Sequence, residues 1–333
     1  MDYIRINKDQ FSLDSNERMR KWEENKRYFK EYCINRYQWF NYPKWKYVND
    51  FPLHVDFETS FKCNLSCPMC FRPHIERKDW NDMDFNLYKK GINECAENNL
   101  YSIRLNWRGE PTVNPKLIDM VAYAKEKGIK EVSFITNGKL IDRKYANELI
   151  KSGLDYITYS VDTMCEKYEK LRYPIKFEEI TQNIKDMYEL RDKIGGGFPR
   201  IKIQAIWSYM KDISEKFYNH FKPISDLISF NTYDDYSLTF MPQNPTLICQ
   251  YPYQRITVTW NGEIPMCISD WSLTTNIGDL KIQNIKEIWL GEKMNFYRKL
   301  HVEGKRMTLE CCSRCHRLAV PQIGDKPQGK HQP

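Results

Sequence analysis

Leu53-His-Val-Asp-Phe-Glu-Thr59 reads as a short β-strand, and Cys63-Asn-Leu-Ser-Cys67-Pro-Met-Cys70 follows it after three intervening residues. β-Branched, aromatic and apolar side chains recur in the first stretch, and the second has the polar, proline-containing character of a loop. Three thiols within eight residues, carried on one loop, are a metal-binding arrangement. A closed zinc site needs a fourth ligand, which His74 could supply. A four-iron cubane normally takes four cysteines at other spacings, so three would leave one iron open to a ligand from outside the chain.

Outward from this stretch the chain keeps a regular rhythm. Further β-type runs fall at Ser102–Trp107, Glu131–Thr136, Tyr156–Val161, Ile201–Trp207 and Leu227–Thr232. Helix-type segments lie between them at Asp84–Asn98, Pro115–Lys127, Asp142–Lys151, Phe177–Lys193 and Ile213–Phe221. Six strands alternating with helices predict an α/β fold built on a parallel sheet. Ligands then collect at the C-terminal ends of the strands.

Beyond Thr232 the rhythm stops. Residues 234–248, with Pro242 and Pro245, read as a linker. Asn261-Gly262 between Arg255–Trp260 and Glu263–Cys267 predicts a β-hairpin. A helix over Ile285–Leu300 precedes a last cysteine group, and Gln322–Pro333 reads as a disordered tail. Ahead of the rhythm, residues 1–50 carry twelve aromatic side chains and eleven basic against eight acidic ones. Asp14 and Glu17 suggest a capping box, and Met19, Trp22, Phe29 and Cys33 share a helical face. This segment is either a helix packed on the main domain or a lid in which Tyr37–Tyr47 stacks on a ligand. The expected division is 1–50 as a helical, aromatic extension, 51–233 as the main domain, 234–320 as a smaller cysteine-bearing domain and 321–333 as tail.

Composition narrows the classes. At 333 residues, 41% hydrophobic and 14% aromatic, the chain can fill a sizeable core. The net charge of +7 suits anionic small molecules or an acidic protein partner and is too diffuse to predict nucleic-acid binding. No apolar run approaches the roughly 18–20 residues of a membrane span, and the N-terminus lacks a secretory signal, so the expectation is a cytoplasmic protein with no membrane association. Eleven cysteines in that compartment point to metal or cluster ligation rather than disulfides.

The CxxxCxxC spacing of Cys63, Cys67 and Cys70 resembles the radical S-adenosylmethionine (SAM) superfamily, over roughly residues 53–233. The resemblance implies a partial (β/α)6 TIM-like barrel and a [4Fe-4S] cluster on the three cysteines. The open iron would chelate SAM, and electron transfer would cleave it to a 5′-deoxyadenosyl radical. It also implies SAM-binding positions at successive strand ends. Arg108-Gly109-Glu110-Pro111 resembles the family's GGE segment, with Arg108 in place of the first glycine, and puts Gly109 and Glu110 near the SAM amino group. Asn137 would contact the adenosyl part, Ser160 and Asp162 the ribose, Arg172 the SAM carboxylate, and Gln204 would face the barrel.

Cys249, Gly262, Cys267, Cys312 and Cys315 are similar to the C-terminal SPASM and twitch domains of that superfamily. With no cysteine after Cys315, the pattern is closer to the twitch type of the aminocyclitol dehydrogenases. It implies a second, auxiliary [4Fe-4S] cluster on Cys249, Cys267, Cys312 and Cys315, with Cys311 able to replace Cys312; zinc remains open on spacing alone. The resemblance implies an oxidoreductase that abstracts hydrogen from a small polar molecule such as a sugar, an aminocyclitol or a nucleotide-sugar, with the auxiliary cluster as electron outlet. Flavodoxin or ferredoxin would be the reductant. Asp270 is the candidate proton acceptor, and Cys165 a candidate hydrogen donor if the reaction is an epimerisation. Peptide maturation is the alternative reaction, and a non-catalytic zinc-binding module the alternative class.

Overall fold

The computed structural model describes residues 4–7, 10–76, 79–231, 248–313 and 315. All six expected strands form: β3 (His54–Phe57), β4 (Ser102–Arg104), β5 (Glu131–Thr136), β6 (Tyr156–Ser160), β7 (Arg200–Ile206) and β8 (Leu227–Asn231). They are preceded by β1 (Ile4–Asn7) and β2 (Gln10–Ser12), and followed by β9 (Arg255–Val258), β10 (Glu263–Pro265) and β11 (Asn276–Asp279). The main sheet runs β1-β2-β8-β7-β6-β5-β4-β3-β9. The seven strands from β8 to β9 are mutually parallel, and only β1 and β2 pair antiparallel. This is the partial TIM-like barrel of an α/β protein, with β10 and β11 as a separate small sheet.

The five helices between the strands also form, several with the caps that the sequence supplies. Asp84 accepts from Asn86 N and Leu87 N ahead of Phe85–Glu97, and Asp142 accepts from Tyr145 N ahead of Arg143–Lys151. Their apolar faces cover the outside of the sheet. Val55, Phe57, Ile103, Val132, Phe134, Ile157, Ile201 and Ile203 are all within 1% of full burial and join one core with those helices. The alternate positions turn inward and are polar: Asp56, Arg104, Ser133, Thr158, Lys202 and Gln204. The hydrophobic core therefore sits between sheet and helices, and the barrel lumen is lined by polar residues together with Ile135 and Ile206.

Residues 1–50 differ from expectation in three ways. Ser15, not Asp14, caps the helix Asn16–Glu24. Asp14 is buried and serves long-range partners instead, accepting from Arg18 Nε at 2.6 Å, Tyr218 Oη at 2.9 Å and Ile228 N at 2.9 Å. The apolar stripe is broken, because a second helix, Phe29–Trp45, follows the first; Trp22 is buried while Phe29 and Cys33 are exposed. The aromatic stretch is also not a lid. Asn35 Nδ2 donates to Leu53 O at 3.1 Å, Gln254 Nε2 donates to Trp39 O at 2.7 Å, and Lys26 Nζ donates to Tyr156 Oη at 3.0 Å. These contacts lie at the N-terminal ends of β3, β9 and β6, the opposite end of the barrel from the cysteine loop.

The predicted hairpin is another correction. Asn261-Gly262 does turn, with Thr259 N bonded to Glu263 O at 2.9 Å. The arms then part: β9 pairs in parallel with β3, and β10 pairs with β11. Ile256 and Val258 on one arm and Ile264 on the other all join the main core, so each arm is buried with its own partner strand. The helix expected over Ile285–Leu300 is split at Gly291 into Ile285–Leu290 and Glu292–Val302. The linker prolines Pro242 and Pro245 and the tail from Gln322 lie outside the described residues.

Candidate active site

The loop after β3 brings Cys63, Cys67 and Cys70 to one wall of a cavity of ≈ 490 Å³ at the C-terminal end of the sheet. Cys70 N bonds to Cys67 O at 3.1 Å, which closes the loop on itself. Burial pushes all three thiols above their usual value, while Arg72 opposes this at Cys63 and Cys70 and Arg172 at Cys67. Ligation by metal, which takes thiolates, would then release their protons.

The segment after β4 packs directly on that loop. A Cβ at Gly109 would lie 2.2 Å from Ser60 O and 2.5 Å from Lys62 O, so only glycine fits. Glu110 N donates to Lys62 O at 2.8 Å. The Glu110 carboxylate is 3% exposed; Oε1 accepts from Thr112 N, Thr112 Oγ1 and Thr136 Oγ1, and Oε2 accepts from Asn137 N at 2.7 Å. Burial raises its pKa despite these bonds. Oε2, with one bond made, is the edge able to meet a cation. Asn137 Nδ2 donates to Asn64 Oδ1 at 2.8 Å and ties the third strand's end to the cysteine loop. Gly138 at φ +76° lets the chain turn there, where a side chain would strike Ile180 and Tyr159.

Ser160, Asp162, Arg172 and Gln204 line the same cavity, as do Gly109, Glu110 and Asn137. Arg172 forms a salt bridge with Asp162, with Nε at 2.7 Å from Oδ2. Two residues expected to hold different parts of SAM thus hold each other in this structure.

The arginine in place of the family glycine also has a structural cause. Arg108 makes a bidentate pair with the buried Glu58, Nε to Oε1 at 2.8 Å and Nη2 to Oε2 at 2.7 Å. Its Nη1 donates to Trp271 O at 3.0 Å, and neighbouring Trp107 Nε1 donates to Ile268 O at 2.7 Å. The loop after Cys267 is thereby clamped over the cavity, where Ile268, Ser269 and Trp271 form part of the wall.

The second cysteine group meets at that loop. Cys249, Cys267, Cys311, Cys312 and Cys315 surround a small closed space with His301, Met266 and Ser269. Cys311 is thus brought in beside the four predicted. Cys312 Sγ lies 3.9 Å from Cys311 Sγ and 3.6 Å from Nε2 of the buried His301. Ser269 lines both this space and the large cavity.

Both cysteine groups carry the donor type of an iron–sulfur cluster, whose irons take thiolates. Asn64 Nδ2, beside Cys63, is also buried without a hydrogen-bond partner, a donor suited to a bound polar group.

Two predicted residues are elsewhere. Asp270 is 2% exposed, and its carboxylate is consumed by the N–H and hydroxyl groups of Thr274 and Thr275, at 2.5–2.9 Å. It organises the turn after Cys267 and does not line the cavity, because a buried carboxylate so placed must satisfy the loop around it. Cys165 is exposed at the start of the helix Cys165–Leu171 and is likewise absent from the lining.

Sequence reading missed Arg72, Arg104, Asn106, Trp107, Asn231 and Trp271, all of which line the cavity. Arg72 is 7% exposed, donates Nη2 to Phe61 O at 3.2 Å and stacks 4.3 Å from the Trp80 ring centre. The signal for Arg104 was present: Ser102, Arg104, Asn106 and Arg108 alternate as polar positions in a strand that should be buried on both faces.

Residues 57–199 match the radical SAM superfamily and residues 249–316 match the SPASM iron–sulfur cluster-binding domain. The chain belongs to the radical SAM superfamily and carries a SPASM domain behind its barrel; SAM, a [4Fe-4S] cluster and auxiliary iron–sulfur ligation come with those two domains. Over 155 residues it is 30% identical to the tungsten-containing aldehyde ferredoxin oxidoreductase cofactor-modifying protein of Pyrococcus furiosus, a match to 46% of this chain and 43% of that protein. The chain spans less than half the length of the curated relatives it matches. Its fold is similar to that of BtrN, solved in complex with AdoMet and 2-DOIA, with TM-score 0.56, 19% identity, and coverage of 82% of this chain and 96% of BtrN. It is also similar to anSMEcpe, solved with AdoMet and the Cp18Cys peptide, with TM-score 0.57, 16% identity, and coverage of 79% and 89%. No helix among the described residues is long and apolar enough to cross a membrane.

Proposed function

We propose that this chain is a radical SAM oxidoreductase that removes hydrogen from a small polar molecule and passes an electron to its auxiliary site. The observation that carries this is the segment Cys267-Ile268-Ser269. It runs from the auxiliary thiols into the wall of the main cavity, and Trp107 and Arg108 hold it there. An electron leaving a substrate in the cavity then has a short covalent route to the second cysteine group.

In this reading Cys63, Cys67 and Cys70 hold the first cluster. Gly109, Glu110, Asn137, Ser160, Asp162, Arg172 and Gln204 bind and orient SAM. Cys249, Cys267, Cys315 and one of Cys311 and Cys312 hold the second cluster. When bound, the first cluster and SAM supply the 5′-deoxyadenosyl radical that abstracts hydrogen. Among the described residues, no cysteine beyond the first three lines the cavity, and this favours oxidation over an epimerisation that needs a thiol donor. The proposed reductant is a flavodoxin or ferredoxin.

Peptide maturation is the second reading, supported by the shared fold with anSMEcpe, which was solved with a peptide. The test is anaerobic incubation of the reconstituted protein with dithionite and SAM. Formation of 5′-deoxyadenosine is expected and should vanish in the Cys63→Ala/Cys67→Ala/Cys70→Ala variant; persistence there would defeat the proposal. A product lighter by one pair of hydrogens supports oxidation, and a product of unchanged mass overturns it.

A further inference from the structure

Deeper in the cavity than the cysteine loop, Arg104, Asn106 and Asn231 lie beside Gln204, the innermost of the SAM-motif positions, with Ile135 and Ile206 among them. Each of the three amides has its oxygen already taken by the protein. Asn106 Oδ1 accepts from Ile135 N at 2.8 Å. Gln204 Oε1 and Asn231 Oδ1 both accept from Gln10 Nε2, at 3.4 and 2.7 Å. Gln10 is itself oriented by Lys202 Nζ, which donates to its Oε1 at 2.8 Å. An amide whose oxygen is held must turn its NH2 group the other way. The NH2 groups of Asn106, Gln204 and Asn231 are therefore left as donors, with no protein acceptor among the described residues.

The charge at the floor has the same sign. Asp56, fully buried, is shared by two guanidiniums, with Arg104 Nε at 2.8 Å and Arg255 Nη1 at 3.3 Å. His54 stands 3.3 Å from the same carboxylate, but burial pulls its pKa down to about 4, so it adds no charge near neutrality. Asp56 thus lies between two guanidiniums. Among the described residues, the carboxylates lining the cavity are Glu110 and Asp162, which are engaged by the four donors and by Arg172 described above. A floor of one guanidinium and three amide donors, with no acceptor among the described residues, is complementary to an acceptor-rich anion.

We propose that the substrate presents an anionic group, a carboxylate or a phosphate, to Arg104, Asn106, Gln204 and Asn231 at the barrel floor. This rests on the radical SAM reading of the cavity and adds its substrate class. The N-terminal segment takes part in it: Gln10 on β2 sets the direction of two of the donors, so residues outside the family's core shape specificity.

The test is isothermal titration of the cluster-reconstituted, SAM-loaded protein with inorganic phosphate, with malonate, and with neutral xylitol as control. Saturable binding of phosphate or malonate, and not of xylitol, is expected, and the preferred anion identifies the group. Arg104→Gln should weaken that binding at least about tenfold while iron content and SAM affinity stay at wild-type levels. Asp56 keeps Arg255 and His54 in this variant and remains paired. Asn106→Asp keeps the oxygen that accepts from Ile135 N but replaces a donor with a charge, and should weaken anion binding similarly. Xylitol binding as well as the anions, or unchanged anion binding in Arg104→Gln or Asn106→Asp, overturns the proposal. Wild-type protein that holds neither iron nor SAM would instead overturn the underlying radical SAM reading.

Discussion

The two cysteine groups differ in how they are assembled and in what they face. Cys63, Cys67 and Cys70 come from one loop of eight residues, and that loop opens onto a cavity of ≈ 490 Å³. The auxiliary group draws Cys249 from before β9, Cys267 from after β10, and Cys311, Cys312 and Cys315 from beyond the last long helix. These enclose a space with room for little else. A site that must admit a cofactor is built locally on a strand end, with an open side. A site that only accepts or passes an electron can be closed, and closure is obtained by bringing distant segments together. The clamp of Trp107 and Arg108 on Ile268 and Trp271 joins the two and makes the auxiliary loop part of the reaction chamber.

The contrast breaks most sharply at the cysteines. Cys267→Ala should lower the iron content of the reconstituted protein by about half, since each site holds one cubane, and leave 5′-deoxyadenosine formation measurable by chromatography. If iron is unchanged, the second group is not a cluster site. A smaller but clear effect is expected at the junction between strand end and loop. Gly109→Ala forces a methyl group within 2.2 Å of Ser60 O and should cost about 1–3 kcal/mol of stability, with weakened SAM binding, read by thermal denaturation and SAM titration. Unchanged SAM affinity would show that the close approach of the Gly109 backbone does not shape the site.

A further effect appears only on acidification and concerns the barrel floor. His54 is buried, with its pKa lowered from 6.5 to about 4 by burial, an effect that Asp56 only partly offsets. The unfolded chain therefore binds a proton that the folded chain refuses between those values. Stability from this group is complete above pH 6.5 and falls as the pH drops towards 4, with a slope of up to about 1.4 kcal/mol per pH unit. His54→Gln should flatten that part of the pH dependence of Tm; an identical profile would remove His54 from the cause.

Much of the fold was legible because its signals are local. Strand and helix periodicity over residues 53–231 follows from covering one sheet with helices, and Asp84 and Asp142, the first residues of two expected helical segments, cap them. The first cysteine group was legible for the same reason. What the sequence hid is long-range. Asp14 reads as a cap until burial against Tyr218 and Ile228 gives it other partners. Asn261-Gly262 reads as a hairpin until β9 takes β3 as its partner and β10 takes β11. Asp270 reads as a base until Thr274 and Thr275 consume it. The aromatic segment Tyr37–Tyr47 has a lid's composition, yet its hydrogen bonds fasten it to the far end of the barrel. The donor floor required knowing which amide oxygens are occupied, and that depends on contacts between Gln10 and residues about two hundred positions away.

Electron paramagnetic resonance of the reduced protein with and without SAM tests most directly that one cysteine group faces SAM and the other does not. In the Cys249→Ala/Cys267→Ala variant the remaining cluster signal should shift on adding SAM. In the Cys63→Ala/Cys67→Ala/Cys70→Ala variant the remaining signal should be indifferent to it. A SAM-responsive signal that survives loss of the first three cysteines would contradict the division of roles between the two sites.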